Sequence, residues 1–463
     1  MRAVLPLAFL AGCLSDPVSP CTTDAECRDA FGFGSVCAED GYCEQVALPD
    51  RCQTSPPDFA TNPERYDNPI VIGSLYDADY DMAEMQSARL AITQANQNDG
   101  FDNRDFVLLE CSYQETLDDG LDNVTATEAL ATELTGRLGI NAYIGTLTSS
   151  STQALYNTTE QLGGAFILSP AASSPALTNL DGITKTDANP GTLWRTVAPD
   201  SLQGRVAAED MISRGVNKVA VVYQTGPYGE GLSQIFADFF AKSGGVVDDY
   251  PFSDDSGLAS AVATVKGSDV QEVFVISSVT VDISTFLSAA DSVGGYEDIN
   301  IFLPDAAADV DTFNDTTAVD LLDQIRGTKP SVPSGRMYDT FKSAYLAAYQ
   351  QDPNATVYMP LAYDAGWLMA YSAAWSLAES GELNPKSMGA GMRHVSSGTP
   401  IDLQPTSWNT VKSAFKTQTS IDVSGASGPL DYSPTDEETT APIDIWVYRD
   451  GEIETIQTIE PDN

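Results

Sequence analysis

From residue 68 onward, short apolar runs rich in β-branched residues alternate with stretches of helical periodicity. Residues 70–73 (Ile-Val-Ile-Gly) form a continuous apolar run of strand length. Behind them Met82, Met85, Ala88, Leu90, Ala91 and Ala95 recur on one side of a helix. The alternation continues with strands at 106–109, 141–144 and 165–168 and a helix over 125–138. It restarts with strands at 219–222, 246–247, 273–276 and 299–303. Strands buried on both faces and separated by helices predict parallel sheets covered by helices, and two such series predict two α/β lobes. Residues 326–335, with two prolines and two glycines, predict a crossing segment. Helices over 337–349 and 359–379 and a strand over 443–447 follow, so the late chain is expected to return to the first lobe.

The first 67 residues break this pattern. Met1-Arg2 gives a positive start, residues 3–10 are apolar, and Leu10-Ala11-Gly12-Cys13 follows. That order reads as an export signal, either a lipoprotein signal with its box or a plain secretory signal with a chance cysteine. The first reading is preferred; it makes residues 1–12 a signal peptide and Cys13 the lipidated N-terminus. Six cysteines remain. Cys21, Cys27, Cys37 and Cys43 sit among acids and glycines, in a stretch too poor in core-forming residues to fold without cross-links. Two disulfides of open connectivity are preferred over zinc, because the spacing lacks paired C-x2-C units. Cys52 and Cys111 then form a third. Residues 53–67, with Pro56, Pro57 and Pro63, read as a linker, so 13–67 is a Cys-rich tether.

Charge removes several functions. The 463 residues carry 66 Asp+Glu against 23 Lys+Arg, a net charge of −43, which repels a phosphate backbone and excludes nucleic-acid binding. Because the acids are spread along the chain, they read as solubility rather than as recognition of a cationic partner. One histidine, His394, leaves no second imidazole for a histidine metal site. No apolar run reaches the ~18 residues a spanning helix needs. Asp77, Asp79 and Asp81 alternate, yet Met82 and Ala88 stand where a calcium loop needs glycine and glutamate, so no metal is expected. Enzyme signatures fail too. Ser413–Lys416 fits S-x-x-K and Lys242-Ser243-Gly244 resembles K-[ST]-G, but in reversed order and with no S-D-N between them. A serine hydrolase would have to use His394, in a loop-like segment. Neither enzyme nor cofactor is expected.

One stretch carries chemistry. Tyr143-Ile144-Gly145-Thr146-Leu147-Thr148-Ser149-Ser150-Ser151 ends a strand and opens a helix, and Ser169-Pro170-Ala171-Ala172-Ser173-Ser174-Pro175 follows the next strand. A helix start at the carboxyl end of a parallel strand offers unpaired N–H groups and a positive dipole end, to which serine hydroxyls add donors: an anion site. The alternative is that one of these serines merely caps the helix.

These two blocks closely resemble the leucine/isoleucine/valine-binding proteins of bacterial ABC transporters, the type I periplasmic solute-binding family. Further matches follow in order: Trp194-Arg195-Thr196, Asp200-Ser201, Gln203-Gly204, Tyr228-Gly229-Glu230-Gly231, Tyr363-Asp364-Ala365 and Gly428-Pro429-Leu430, so the resemblance covers 68–451. It implies two Rossmann-like lobes joined by a multi-strand hinge: lobe 1 over 68–199 and 330–430, and lobe 2 over 200–329 and 431–463. It also implies a zwitterion clamp. Ser149 and the Ser173 N–H would hold an α-carboxylate, the Ala171 carbonyl and the Asp305 carboxylate an α-ammonium, and Tyr228 would face the cleft. Tyr80 is the candidate in the first loop, with Tyr76 an equal contender. Residues 277–280 depart from the family, carrying Ser277, Ser278, Val279 and Thr280 where it has an aromatic. The function implied is capture of a small amino acid or amide for an ABC permease, from a lipid anchor on the outer side of a bacterial membrane. The alternatives are a sensor subunit of the same fold and a structural or adhesive surface lipoprotein without a ligand.

Overall fold

The computed structural model describes residues 20–66, 68–117, 119–314 and 316–461, so the Cys13 expectation lies outside the described residues. The head consists of a helix, α1 (Asp24–Phe31), and an antiparallel pair, β1 (Ser35–Cys37) and β2 (Cys43–Gln45). Thr23 starts α1 with a capping box: its hydroxyl accepts the Glu26 N–H at 3.3 Å, and the Glu26 carboxylate accepts the Thr23 N–H at 3.2 Å. Disulfides Cys21–Cys37 and Cys27–Cys43 settle the connectivity left open by the sequence. Cys21, Cys27 and Cys43 come close enough together to suggest a metal cluster, but every sulfur there is already bonded to another.

Lobe 1 is built on β3 (Cys52–Ser55), β4 (Ile70–Tyr76), β5 (Phe106–Ser112), β6 (Ala142–Ile144), β7 (Phe166–Ser169) and β8 (Leu193–Arg195). Their order across the sheet is β3-β5-β4-β6-β7-β8, parallel except for β3. The linker expectation for residues 53–67 is corrected here. β3 pairs antiparallel with β5 in a register that sets Cys52 opposite Cys111, and the disulfide joins those two residues. Helices α2 (Met82–Asn96), α3 (Asn123–Ala131) and α4 (Ser149–Gln161) connect the strands, and α3 runs on into a wider π-type turn, Thr132–Arg137.

Lobe 2 repeats the plan. Its strands β9 (Lys218–Gln224), β10 (Val246–Phe252), β11 (Glu272–Ile276), β12 (Asn300–Leu303) and β13 (Ile325–Pro330) alternate with α5 (Ser201–Ser213), α6 (Pro227–Lys242), α7 (Asp255–Val265), α8 (Thr280–Val293) and α9 (Asp311–Asn314). The chain then returns to lobe 1 with α10 (Arg336–Tyr349), α11 (Met359–Ser380), α12 (Pro385–Met392), a small sheet of β14 (Thr399–Asp402), β15 (Ile421–Gly425) and β16 (Gly428–Pro429), and α13 (Trp408–Lys416) between β14 and β15. Finally β17 (Ile443–Arg449) and β18 (Glu452–Ile459) close the lobe 2 sheet, in the order β10-β9-β11-β12-β13-β17-β18.

Every residue of α11 from Met359 to Leu377 is buried. A helix apolar all round is a core helix, and this one lies against α2. Gly366 permits the approach, since a Cβ there would stand 2.6 Å from the Ala88 carbonyl oxygen. No helix among the described residues is long and apolar enough to cross a membrane. Three segments join the lobes, at residues 196–200, 331–335 and 430–442. The last two are tied where the Ser331 N–H donates to the Pro442 carbonyl at 3.0 Å.

A candidate ligand-binding cleft between the lobes

The cleft forms where loops at the carboxyl ends of β6 and β7 face those after β9 and β12. Thr148 caps α4, its hydroxyl accepting the Ser151 N–H at 3.3 Å. The capping role therefore falls to the residue before the three serines and leaves Ser149 free of it. Buried Ser149 accepts the Ser174 N–H on its hydroxyl at 3.2 Å, stitching the helix start to the 170–174 loop.

That loop is shaped from below by Arg195. Its guanidinium, 1% exposed, donates to the carbonyls of Ala172 (3.0 Å) and Ser174 (2.8 Å), to the Thr178 hydroxyl (2.8 Å) and to the Glu438 carboxylate. A planar five-donor fork suits this role, because it satisfies several carbonyls while its charge is met by a buried acid. Ser173, held in place, donates its hydroxyl to Asp200 at 2.9 Å, and the Asp200 N–H returns a bond to the Ser173 carbonyl at 2.9 Å.

Asp305 opens the short turn Asp305–Ala307 directly after β12. Its carboxylate accepts from Gln203 Nε2 at 2.9 Å and from the hydroxyls of Tyr228 and Tyr358. Tyr358 precedes α11 and belongs to the part of the chain that has returned to lobe 1, so its bond to Asp305 crosses the cleft. A second crossing runs from the Ser174 hydroxyl to the Pro227 carbonyl.

Asp200 and Asp305 are both buried, at 1% and 4% exposure. Burial first, and then the charge of Asp305, holds the Asp200 carboxyl well above the usual range, while the Ser173 bond and Arg195 pull it down. Burial and the Asp305 charge likewise raise the Tyr228 and Tyr358 phenols, which remain donors at neutral pH. Beside the pair lies a cavity of ≈ 20 Å³, lined by Ser173, Asp200, Gln203, Asp305, Leu361 and Ile443 among others. It has room for about one water, which describes lobes drawn together rather than apart.

Five of the residues singled out from sequence therefore meet here: Ser149, Ala171 and Ser173 on lobe 1, and Tyr228 and Asp305 on lobe 2. Ala171 is half-buried in the loop two residues before Ser173. Tyr80 does not join them. It is 61% exposed on the loop after β4 because the short turn 77–81 is closed by its own acids: Asp77 accepts the Asp79 N–H at 2.9 Å, and Asp81 accepts the Asp77 N–H at 2.8 Å. Tyr76 is buried on the other side, among Gln53, Arg89 and Glu110. Sequence reasoning gave no role to Asp200, Gln203 or Tyr358. The first two lay in motif blocks already recognised, whereas Tyr358 had no signal beyond its place before a long apolar helix.

Two Rossmann-like lobes, three crossings and ligand loops from both halves define a type I periplasmic-binding-protein fold. The chain belongs to the family described as the receptor family ligand binding region, which matches residues 83–436. No curated protein matches it by sequence. Among solved structures it is similar to the branched-chain amino acid transporter substrate-binding protein LivJ of Streptococcus pneumoniae in complex with isoleucine, at 20% identity and a TM-score of 0.63, covering 85% of this chain and 100% of that one. A leucine-binding protein of Thermotoga maritima aligns at 16% identity and a TM-score of 0.63, over 85% and 99%. A solute-binding protein of an ABC transporter from R. palustris, in complex with benzoate, aligns at 17% identity and a TM-score of 0.59, over 85% and 97%.

Proposed function

We propose that this protein captures a small zwitterionic ligand, an α-amino acid or close analogue, between its lobes and presents it to an ABC-type permease from the outer side of a bacterial membrane. The observation that carries the reading is the polarity of the cleft. The start of α4 and the Ser173 loop supply hydroxyl and N–H donors on one side. Asp305 supplies a buried carboxylate on the other, beside the buried carboxyl of Asp200. Donors at a helix start suit a carboxylate, and a buried carboxylate suits an ammonium. The chemistry offered is binding without transformation. Contacts from both lobes exist together only when they are closed, so a ligand shifts the population toward closure. Anchoring by a lipid on Cys13 belongs to this proposal and rests on the sequence around that residue.

A thermal-shift screen of the purified protein against amino acids, amides and aromatic acids tests it. A ligand at 100 times its Kd adds about 2.7 kcal/mol. Asp305→Asn should weaken an α-amino acid by about 2–5 kcal/mol and leave the matching α-hydroxy acid nearly unchanged. Equal loss for both analogues would remove Asp305 from the ammonium site, and no shift with any compound would sink the solute-binding reading.

A further inference from the structure

The cleft holds more buried carboxyl groups than one α-ammonium requires. Glu84, in the first turn of α2, is 3% exposed. One carboxylate oxygen accepts the Thr356 hydroxyl, while the other, Oε2, is buried with no hydrogen-bond partner. Glu84 forms no ion pair among the described residues, and the charges that reach it are those of other acids. Burial first, and then the charge of Asp309 on lobe 2, raise its carboxyl against the pull of the Thr356 hydroxyl. Glu84 also belongs to the cleft by connection. Thr356, its partner, accepts the Tyr358 N–H at 3.3 Å, and the Tyr358 hydroxyl reaches Asp305.

An ionised carboxylate is acceptor-only, and leaving one of its oxygens dry and unpaired is costly. The group that satisfies it is a cationic N–H donor. We propose that Glu84 is a second cation-binding position of the cleft, and that the ligand is a basic amino acid whose α-ammonium meets Asp305 and whose distal ammonium or guanidinium meets Glu84 Oε2. This rests on the zwitterion reading and extends it to the ligand's side chain.

Calorimetric titration separates the two claims. The wild-type protein is titrated with L-lysine, L-ornithine, L-arginine and the neutral L-norleucine, and Glu84→Gln with the same four. At least one basic amino acid should bind about 10- to 100-fold more tightly than norleucine. Glu84→Gln should abolish that preference while leaving norleucine affinity within about twofold, which also certifies the variant's fold. If norleucine proves too weak to measure, the unliganded melting temperature and the binding of Thr356→Val serve instead. Thr356→Val removes the donor to Oε1 and keeps the charge, so lysine binding should persist. Norleucine binding as tightly as every basic amino acid, or a Glu84→Gln variant with unchanged preference, would overturn the second site and leave the solute-binding reading standing. Binding of none of the four, by a protein that also fails the wider screen, would remove both.

Discussion

The Ser174 hydroxyl on lobe 1 donates to the Pro227 carbonyl on lobe 2 at 2.6 Å. Each partner is adjacent to a residue of the ligand site, Ser173 on one side and Tyr228 on the other. The bond that latches the lobes is thus one peptide away from the groups that would hold the ligand, and closure is sensed where binding occurs.

Ser174→Ala should weaken the closed state without touching either ligand pole. A hydrogen bond of this kind contributes about 0.5–1.5 kcal/mol, so ligand affinity should fall about 2- to 10-fold. Small-angle scattering without ligand should show a larger radius of gyration. Gly231→Ala should act the same way, because its Cβ would stand 2.8 Å from Ser174 Oγ. An unchanged radius in both variants would mean that other contacts hold the lobes together.

Arg195→Met should cost far more stability than any cleft variant. The arginine and Glu438 form a buried pair, and removing one partner strands the other, at about 3–5 kcal/mol. Urea unfolding should show a lower midpoint, with ligand binding impaired at temperatures where the fold survives, since the 172–174 carbonyls lose their anchor. An unfolding free energy within about 0.5 kcal/mol of wild type would show that water or a neighbour replaces the guanidinium.

Asp81 gives the protein an inverted acid response. Burial, and then the charge of Glu84, pushes its carboxyl up to about 8, against the downward pull of the Asp77 N–H and the Tyr113 hydroxyl. The folded state therefore binds this proton more tightly than the unfolded chain, whose aspartates titrate near 3.9. Its contribution is fully present below about pH 4 and is lost as the pH rises through about 8. Asp81→Asn keeps an acceptor and no charge, so its melting temperature should exceed that of wild type by a margin that grows from pH 5 to pH 8. Parallel melting curves across that range would refute the assignment.

The two-lobed architecture was legible because parallel strands buried on both faces leave continuous apolar runs, as 219–222 and 273–276 do. β3 was not legible. Cys-Gln-Thr-Ser has no apolar alternation, and it is held at a sheet edge by backbone pairing and a disulfide. β14 and β15 were missed for a related reason, since each offers only one or two inward apolar residues to lobe 1, such as Ile401, Ile421 and Val423. Of the residues that meet in the cleft, Ser149, Ser173 and Tyr228 were singled out from motif blocks and Asp305 from its place after the strand at 299–303. Tyr358 and Glu84 escaped because a residue brought to the cleft from more than 50 positions away in the chain carries no local periodicity. Tyr80 was misplaced because its loop is short and folded on itself.

The head is seated on lobe 1. Arg28 donates to the Arg137 carbonyl, Phe33 packs tilted against Phe59 with ring centroids 5.4 Å apart, and Cys52–Cys111 bonds the head's exit to the lobe 1 sheet. The head and lobe 1 are therefore one cross-linked unit, and lobe 2 meets it through the three crossings and the cleft. On the proposed function, an anchor at Cys13 would fix lobe 1, and closure would be the movement of lobe 2 toward it.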